Sequence, residues 1–463
     1  MADGDGRRGH APDLALRGGR VVTGSGVVEA TVAVTGERIS AVCAPGDDVA
    51  AARVLDVGGA YLLPGAIDPH VHFKVFNAMV DDFETAAAGA AHGGVTTMIP
   101  FIGGDERMSV GEGIDHFIAE GSARSVVDFA MHCRLRPSPD LIEQIPEAVR
   151  RGVTSIKMFQ AYRKRGMLFR DDQLLRGMQL AAASGALAMV HAENGDVIDL
   201  LEDQLIARGQ TGPEHYLASR PHAAEAEAVS RAIRLAELAG CPLYVVHLST
   251  AVGAQEVAAA RARGQAVFGE TCPQYLLLTD DEMRRQKGLA KIAPPLRWAS
   301  DAEALWQALA RGSVQTVGSD HAPFTVADKA VGERNIFEAG FGMPGIETLA
   351  PLVISAALGS ARLSLPQVAQ VLAENTARIF GLYPRKGIIQ AGADADILVV
   401  DPAATGTLSS RQLHSRAGYT CFEGTTLTGR ITTTLLRGKV LVENGELRQK
   451  PGYGRFLPRP PAR

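Results

Sequence analysis

The middle of the chain alternates short apolar runs with longer alanine-rich stretches, and this alternation predicts repeated βα units. The stretch "AEAEAVSRAIRLAELAG" is typical of the helical segments, whereas the apolar runs have the length of strands. Eight runs are candidate strands: 65–72, 95–101, 126–133, 154–159, 186–193, 242–249, 265–272 and 314–321. Eight such units predict an α/β fold of the (β/α)8 TIM barrel type, whose active site lies at the carboxyl ends of the strands.

Both ends of the chain have a different pattern. From about Asp13 to Ala60, short alternating runs punctuated by glycine predict β-hairpins, and the same texture returns in "ADADILVVDP" and "TLTGRITTTLLRGKVLVENGELR". We expect the two end segments to pair into one β-sandwich that flanks the barrel. The predicted domains are 1–64 and 386–463 for the two parts of the sandwich, with a C-terminal tail, and 65–385 for the barrel.

Polar residues stand where five of the eight predicted strands give way to loops. They are His70, His72, Lys157, His191, His247 and Asp320. Singly, a histidine after an apolar strand is more often a hydrogen-bonded core residue, and Asp320 can cap the next helix. Together, groups at the same end of one barrel converge on its axis. Four imidazoles and a carboxylate are ligands for zinc, or less often manganese, and one metal does not need them all, so we expect two.

Lys157 lies inside the strand-like segment "TSIKMFQAY". An unpaired ammonium in such a place costs several kcal/mol unless it is neutralised or paired. A deprotonated lysine can react with carbon dioxide to form a carbamate, an anionic ligand that can bridge two metals. The alternative interpretation is an ordinary lysine paired with a carboxylate.

Charge and composition narrow the class of partner and the compartment. The 463 residues carry a net charge of −4 with a pI near 6.3, so nucleic acid and anionic membrane are poor partners and a small molecule is the default. The five cysteines are widely spread and form no CxxC pair, which favours a reducing, cytoplasmic setting over a disulfide framework. No run has transmembrane length and no signal-peptide core follows the first arginines, so we expect a soluble protein.

These residues lie in motifs that follow one another in a recognisable order: "DPHVH", "SIKMFQAY", "HAEN", "VHLST", "GETCPQYLLLT", "APPLR", "GSDHAPF", "NTARIFGLYPRKGIIQAGADADILVVDP" and "GYGRFLPR". Over nearly its whole length the chain resembles the cyclic amidohydrolases, and most of all the hydantoinases and dihydropyrimidinases. The resemblance implies metal-dependent hydrolysis of a C–N bond in a cyclic amide, imide or ureide. It also implies a homo-oligomer, either a dimer or a tetramer.

The resemblance further implies two divalent ions, Zn2+ with Mn2+ as the alternative. The implied ligands are His70 and His72 for the more buried ion, His191 and His247 for the more exposed ion, and N6-carboxylated Lys157 as the bridge. Asp320 would bind the first ion and act as general base for a metal-bridging hydroxide. Tyr162 would hydrogen-bond the oxyanion of the reacting ring.

Three positions depart from the hydantoinase pattern, and all three concern the substrate. Ala293 replaces a serine that acts largely through its backbone. Phe341 replaces an asparagine that holds the imide edge of the ring. Lys74 stands in a shorter loop, "HFKVFNAMVDDF", where dihydroorotases place an arginine that holds a carboxylate. Lys74 can therefore bind an acidic substituent, or it is a solvated loop lysine.

Two alternatives to a hydantoinase remain. An allantoinase-like or dihydroorotase-like hydrolase is favoured slightly by Lys74 but opposed by the "KMFQAY" and "ETCPQYLLLT" segments. A non-catalytic scaffold related to dihydropyrimidinase would have lost the ligand residues, whereas this chain retains all of them.

Overall fold

The computed structural model describes residues 11–47, 49–73, 79–102 and 108–461. The first strands precede the barrel: β1 Leu14–Thr23, β2 Gly26–Thr35, β3 Arg38–Cys43, β4 Arg53–Asp56 and β5 Tyr61–Pro64. Within them β1, β2 and β3 form a meander with antiparallel pairing, and β1 pairs in parallel with β4 and β5. Glycines at positive φ, such as Gly36 in the β2–β3 turn, allow the tight hairpins that the sequence predicts.

The barrel strands follow in the expected order: β6 Ala66–Val71, β7 Val95–Ile102, β8 Asp128–Phe129, β9 His132–Arg134, β10 Ser155–Phe159, β11 Leu187–His191, β12 Leu243–Val245, β13 Val267–Thr271 and β14 Thr316–Val317. Every pairing among them is parallel. A bridge between Val71 and His321 joins the two edges, with the His72 amide donating to the His321 carbonyl at 2.7 Å. The predicted (β/α)8 barrel is confirmed as a nearly closed parallel barrel.

The third predicted strand, 126–133, is interrupted. The structure divides it into β8 and β9 because the C-terminal tail takes over the hydrogen bonds of Phe129. The Phe129 amide donates to the Arg455 carbonyl at 2.9 Å, and the Leu457 amide donates to the Phe129 carbonyl at 2.7 Å. The tail therefore continues the sheet pairing at this strand.

Helices cover the outer face of the barrel and connect its strands: α1 Phe83–His92, α2 Val110–Arg124, α3 Pro139–Ile142, α4 Ile145–Arg150, α5 Asp171–Ala183, α6 Gly195–Ala207, α7 Tyr216–Ser219, α8 His222–Ala239, α9 Ala251–Ala262, α10 Pro273–Leu277, α11 Asp281–Gln286, α12 Ala299–Ala310, α13 Val326–Ala330, α14 Leu349–Ser360, α15 Leu365–Ala369 and α16 Asn375–Ile379. One large core lies between the helices and the outer faces of the strands. A smaller core, with Met189 and Tyr244, fills the barrel itself. In the part of the chain that the structure describes, no helix is long and apolar enough to span a bilayer.

The chain ends in four further strands: β15 Ile397–Thr407, β16 Thr426–Leu436, β17 Lys439–Glu443 and β18 Glu446–Leu447. Antiparallel pairing of β15 with β5 joins them to the N-terminal strands in one nine-stranded sheet. A separate small core, including Leu16, Val32 and Ile397, packs on this sheet. The expected pairing of the two termini beside the barrel is confirmed.

Candidate metal centre

The carboxyl ends of the first and eighth barrel strands bring three predicted ligands together. His70 Nε2 lies 3.1 Å from His72 Nε2, and Asp320 Oδ1 lies 3.1 Å from His70 Nε2 and 3.4 Å from His72 Nε2. His70 and His72 share one side of β6 and its end because side chains alternate along a strand. His70 and Asp320 are buried, and His72 is half-buried.

A buried carboxylate on β13 fixes the orientation of His70. Glu270 Oε1 accepts a hydrogen bond from His70 Nδ1 at 2.6 Å and another from the His247 amide at 2.9 Å. Because Nδ1 donates to the carboxylate, Nε2 is the nitrogen that faces the cluster, and it would bind a metal ion in place of the proton that the site favours. Burial opposes protonation of His70, but Glu270 and Asp320 outweigh it and raise the pKa of the imidazole to about 9.

The fifth and sixth strands supply a second pair of imidazoles. His191 Nδ1 lies 2.9 Å from His247 Nε2, while His191 Nε2 donates to Glu193 at 2.8 Å. Arg220 Nη1 in turn donates to the same Glu193 oxygen, Oε2, at 2.5 Å, so this oxygen accepts from two side chains. Burial alone would raise the pKa of Glu193, yet the Arg220 guanidinium and His191 hold it at about 2.

The two histidine pairs are adjacent and form one centre. The rings of His70 and His247 have centroids 5.2 Å apart. Lys157 is 1% exposed, and its Nζ lies 5.0 Å from the centroid of the Phe101 ring. Burial lowers the pKa of Lys157 to about 7, although Glu270 and Asp320 raise it in part. The buried lysine therefore lies within the field of the carboxylates around the histidines.

Three residues of this centre have left-handed backbone conformations: Tyr162 at φ 68°, His247 at φ 39° and Asp320 at φ 49°. Such conformations cost about 1–3 kcal/mol for residues other than glycine and persist where the surrounding structure enforces them. In each case the residue follows a barrel strand. Lys287, Ala361, Arg437 and Asn444 also have positive φ, so this conformation is not confined to the predicted site.

The donor set fits divalent metal ions. Glu270 and Glu193 each accept from one ring nitrogen of His70 and His191, so the other ring nitrogen of each faces a partner imidazole at 3.1 Å and 2.9 Å. Lone pairs facing each other at that distance repel unless a proton or a cation lies between them. Nitrogen and carboxylate donors at one end of a barrel are the set that zinc and related ions prefer.

Tyr162 and Phe341 form an aromatic wall beside the histidines. Their rings are stacked with centroids 5.0 Å apart and planes within 4°, and Tyr162 also lies 4.7 Å from the His191 ring. The Arg165 guanidinium lies over the Phe341 ring, 4.1 Å from its centroid. Phe341 therefore contacts both an aromatic ring and a cation.

The other two predicted substrate contacts have different outcomes. Ala293 is 7% exposed and precedes a cis peptide bond to Pro294, whose carbonyl accepts a hydrogen bond from Tyr275 at 2.8 Å. Its segment is therefore buried and held by neighbouring side chains. Lys74 lies outside the described residues.

Sequence reasoning missed Glu270, Glu193 and Arg220. Glu270 ends an apolar strand in "VFGETC" at the same barrel end as the predicted ligands, and Glu193 follows His191 with the period of two that already linked His70 to His72. Both could have been found with the rule that found the histidines. Arg220 had no local signal because its partner is 27 residues away on a different element.

Comparison with known proteins gives consistent matches over nearly the whole chain. The sequence profile described as "Amidohydrolase family" matches residues 61–441. A D-hydantoinase of Streptomyces coelicolor is 38% identical over 457 residues, covering 96% of this chain and 97% of the relative. A D-hydantoinase of Rhizobium radiobacter is 37% identical and covers 96% of this chain and 99% of the relative.

Solved structures show the same similarity. The crystal structure of dihydropyrimidinase from Brevibacillus agri has a TM-score of 0.92 at 36% identity, covering 97% of this chain and 99% of that one. The L-hydantoinase (dihydropyrimidinase) of Arthrobacter aurescens has a TM-score of 0.91 at 34% identity, covering 96% of this chain and 100% of that one.

Proposed function

The chain belongs to the amidohydrolase family, and from this premise we propose that it is a hydantoinase-type hydrolase that opens a cyclic amide, imide or ureide. Relatives named D-hydantoinase and D-phenylhydantoinase match it along most of their length. The observation that carries the proposal is the convergence of four imidazoles and a carboxylate beside a buried lysine at the carboxyl end of the barrel.

We further propose two divalent ions, Zn2+ or Mn2+, with His70, His72 and Asp320 holding one and His191 and His247 the other. Carboxylated Lys157 would complete both sites, since a carbamate turns an isolated buried amine into an anionic ligand. When bound, the ions lower the pKa of water and polarise a carbonyl, which supplies the nucleophile and the electrophile for amide hydrolysis.

Asp320 is suited to move a proton. Burial alone would raise its pKa, but His70 and His72 hold the pKa of this carboxyl well below its usual range. It is therefore ionised at neutral pH and can accept a proton from the attacking water. The same oxygen can then return that proton to the ring nitrogen as the C–N bond breaks.

Tyr162 is suited to stabilise negative charge on the ring carbonyl oxygen. Burial raises the pKa of its phenol well above the usual value, so the hydroxyl stays protonated and remains a hydrogen-bond donor. Its left-handed backbone and the stack with Phe341 fix the ring beside His191. A donor held in place before the reaction loses little energy in reorganising.

Assembly and location complete the proposal. We propose a homo-oligomer, either a dimer or a tetramer, as the resemblance implies, and sedimentation equilibrium would measure its mass. A cytoplasmic location agrees with the five unpaired cysteines, four of which are buried. The proposed oligomeric state and location do not depend on which cyclic substrate the enzyme opens.

Elemental analysis paired with ring-opening assays tests the function. Protein expressed with zinc and bicarbonate should hold two metals per chain and open hydantoin, dihydrouracil, allantoin, dihydroorotate or a cyclic imide. The ring it prefers separates a hydantoinase from the allantoinase-like and dihydroorotase-like alternatives. Lys157→Met should lose metal and turnover together, whereas the exposed Lys439→Met should keep both. Protein that binds no metal would refute the hydrolase and restore the scaffold interpretation.

A further inference from the structure

Two arginines stand at the carboxyl end of the third barrel strand. Arg134 ends β9, and Arg136 follows it with the period of two that keeps side chains on one face. Arg134 is the register partner of Lys157 on the neighbouring strand, so both residues point to the same side of the sheet. The neighbouring Cys133 and Leu135 belong to the outer core between strands and helices. Arg134 therefore faces the inside of the barrel, as Lys157 does, and the charge of Arg136 lies near it.

Neither arginine has an acidic partner among the described residues. Arg134 is 8% exposed, and among the described residues its one polar side-chain contact is a weak one from Nη1 to Met167 Sδ at 3.6 Å. The Nε atoms of Arg134 and Arg136 are both buried without a hydrogen-bond partner in the part of the chain that the structure describes. Burial and the nearby charge of Arg136 lower the pKa of the Arg134 guanidinium to about 10. A buried cation with unused donors is costly, and an anion would relieve that cost.

The position of Arg134 connects it to the candidate catalytic residues. Met167, which Arg134 contacts, donates its amide to the Tyr162 carbonyl at 3.1 Å and so closes the loop that begins at Tyr162. Tyr162 in turn lies against the His191 ring. A substrate ring bound between the metal centre and Tyr162 would therefore direct a substituent toward Arg134.

We propose that Arg134 and Arg136 form a carboxylate-binding subsite, and that the substrate is a cyclic amide or ureide carrying an acidic exocyclic group. This inference rests on the proposed ring hydrolysis for the identity of the ligand. A guanidinium binds a carboxylate with two parallel hydrogen bonds, and the Nε of Arg134 has no partner among the described residues. The residues set specificity through the substituent and take no part in bond cleavage.

A pair of matched substrates tests the subsite. They are 5-(2-carboxyethyl)hydantoin and 5-(2-carbamoylethyl)hydantoin, which have nearly the same shape but differ in charge. The wild-type kcat/KM should be higher for the acid. Arg134→Met should lower the ratio of acid to amide by about 10- to 100-fold, mainly through KM, and Arg136→Met should lower it less. Arg134→Lys should restore part of the preference. The exposed Arg176→Met, which breaks only a surface ion pair with Glu143, should leave the ratio unchanged.

Thermal melting separates a binding role from a structural one. Without ligand, replacing an unpaired buried cation by an apolar side chain should leave the melting temperature unchanged or raise it. A lower melting temperature in Arg134→Met, together with equal loss of activity on both hydantoins, would overturn the subsite. No wild-type preference for the acid would overturn it as well.

Calorimetry with the ring-opened acid keeps the test independent of turnover. N-carbamoylglutamate should bind the metal-loaded wild type more tightly than N-carbamoylglutamine does, and Arg134→Met should abolish the difference. If no ring is opened but this difference is found, the subsite stands and the proposed hydrolysis falls. Equal binding of the two compounds to the wild type would refute the subsite even in an active hydrolase.

Discussion

Glu270 offers a direct test of how the centre is built, because one carboxylate orients three groups from the first and sixth barrel strands. Its Oε1 accepts from His70 Nδ1 at 2.6 Å and from the His247 amide at 2.9 Å, and its Oε2 accepts from the Tyr244 hydroxyl at 2.8 Å. In Glu270→Gln, the amide oxygen can keep the Oε1 position. The amide nitrogen can donate to Tyr244, whose own proton can turn to Thr316 at 2.7 Å.

The change therefore removes the charge but preserves the hydrogen-bond geometry. Hydrogen bonds to a charged group contribute about 1.5–3 kcal/mol, against about 1 kcal/mol for neutral pairs, so about 0.5–2 kcal/mol should be lost. That corresponds to about a 2- to 30-fold weaker affinity for the metal, which overlaps the roughly 10- to 100-fold loss known for outer-shell partners of ligating histidines. Glu270→Ala should lose more, since the His247 amide and Tyr244 would be left without their acceptor.

Metal retention during dialysis against graded chelator, followed by elemental analysis, measures this loss. Tyr244→Phe is the matched control, because it removes the bond to the other oxygen of the same carboxylate and leaves His70 oriented. It should cost folding stability with little change in metal affinity. If Glu270→Gln holds its metals as tightly as the wild type, the carboxylate does not act through His70 and the reasoning is wrong.

Three further predictions follow from contacts elsewhere. Tyr162→Phe should lower kcat by about 10²- to 10³-fold with little change in KM in steady-state kinetics, because one oxyanion donor is removed; an equal loss expressed in KM alone would contradict this role. Burial lowers the pKa of Lys157 to about 7, so the free amine that carbamate formation needs becomes more abundant as pH rises through 7. Reactivation of metal-stripped protein by zinc at a fixed concentration of dissolved CO2 should therefore accelerate from pH 6 to pH 8, and a rate independent of pH would count against it. Lys386 Nζ lies 2.7 Å from both Asp128 and Asp396, so Lys386→Met should cost about 3–5 kcal/mol in denaturant unfolding by leaving buried carboxylates uncompensated; a loss below 1 kcal/mol would show that the cluster is not a stabilising network.

The barrel strands show how much of the fold the local sequence pattern predicts. The apolar runs gave the barrel strands in order, because burial on both faces requires continuous apolar sequence. The prediction of one continuous third strand was wrong, because the C-terminal tail pairs with Phe129 from more than three hundred residues away along the chain. The hydrogen bond from the Arg455 amide to Asp128 spans a similar separation, 327 residues. No local sequence pattern could predict that the C-terminal tail pairs with this strand.

The predicted ligands divide in the same way. His70, His72 and Asp320 could be proposed because histidines and a carboxylate at strand ends have few structural uses in combination. Their partners depend on closure of the barrel: Glu270 is 200 residues from His70, and Phe341 meets Tyr162 through a loop from another unit. For Lys157, the sequence raised the question of a buried amine, and the structure supplied the burial that lowers its pKa.

The sequence by itself determined the class of fold, and it predicted the end of the barrel where the candidate ligands lie and which residues they are. These follow from the spacing of apolar residues and from the chemistry of individual side chains, both of which are local. Only the tertiary structure decided which carboxylate orients which imidazole, that Phe341 contacts both Tyr162 and Arg165, and that Arg134 is buried with no acidic partner among the described residues. Those facts depend on distances between strands far apart in sequence, which are fixed when the parallel sheet closes on itself.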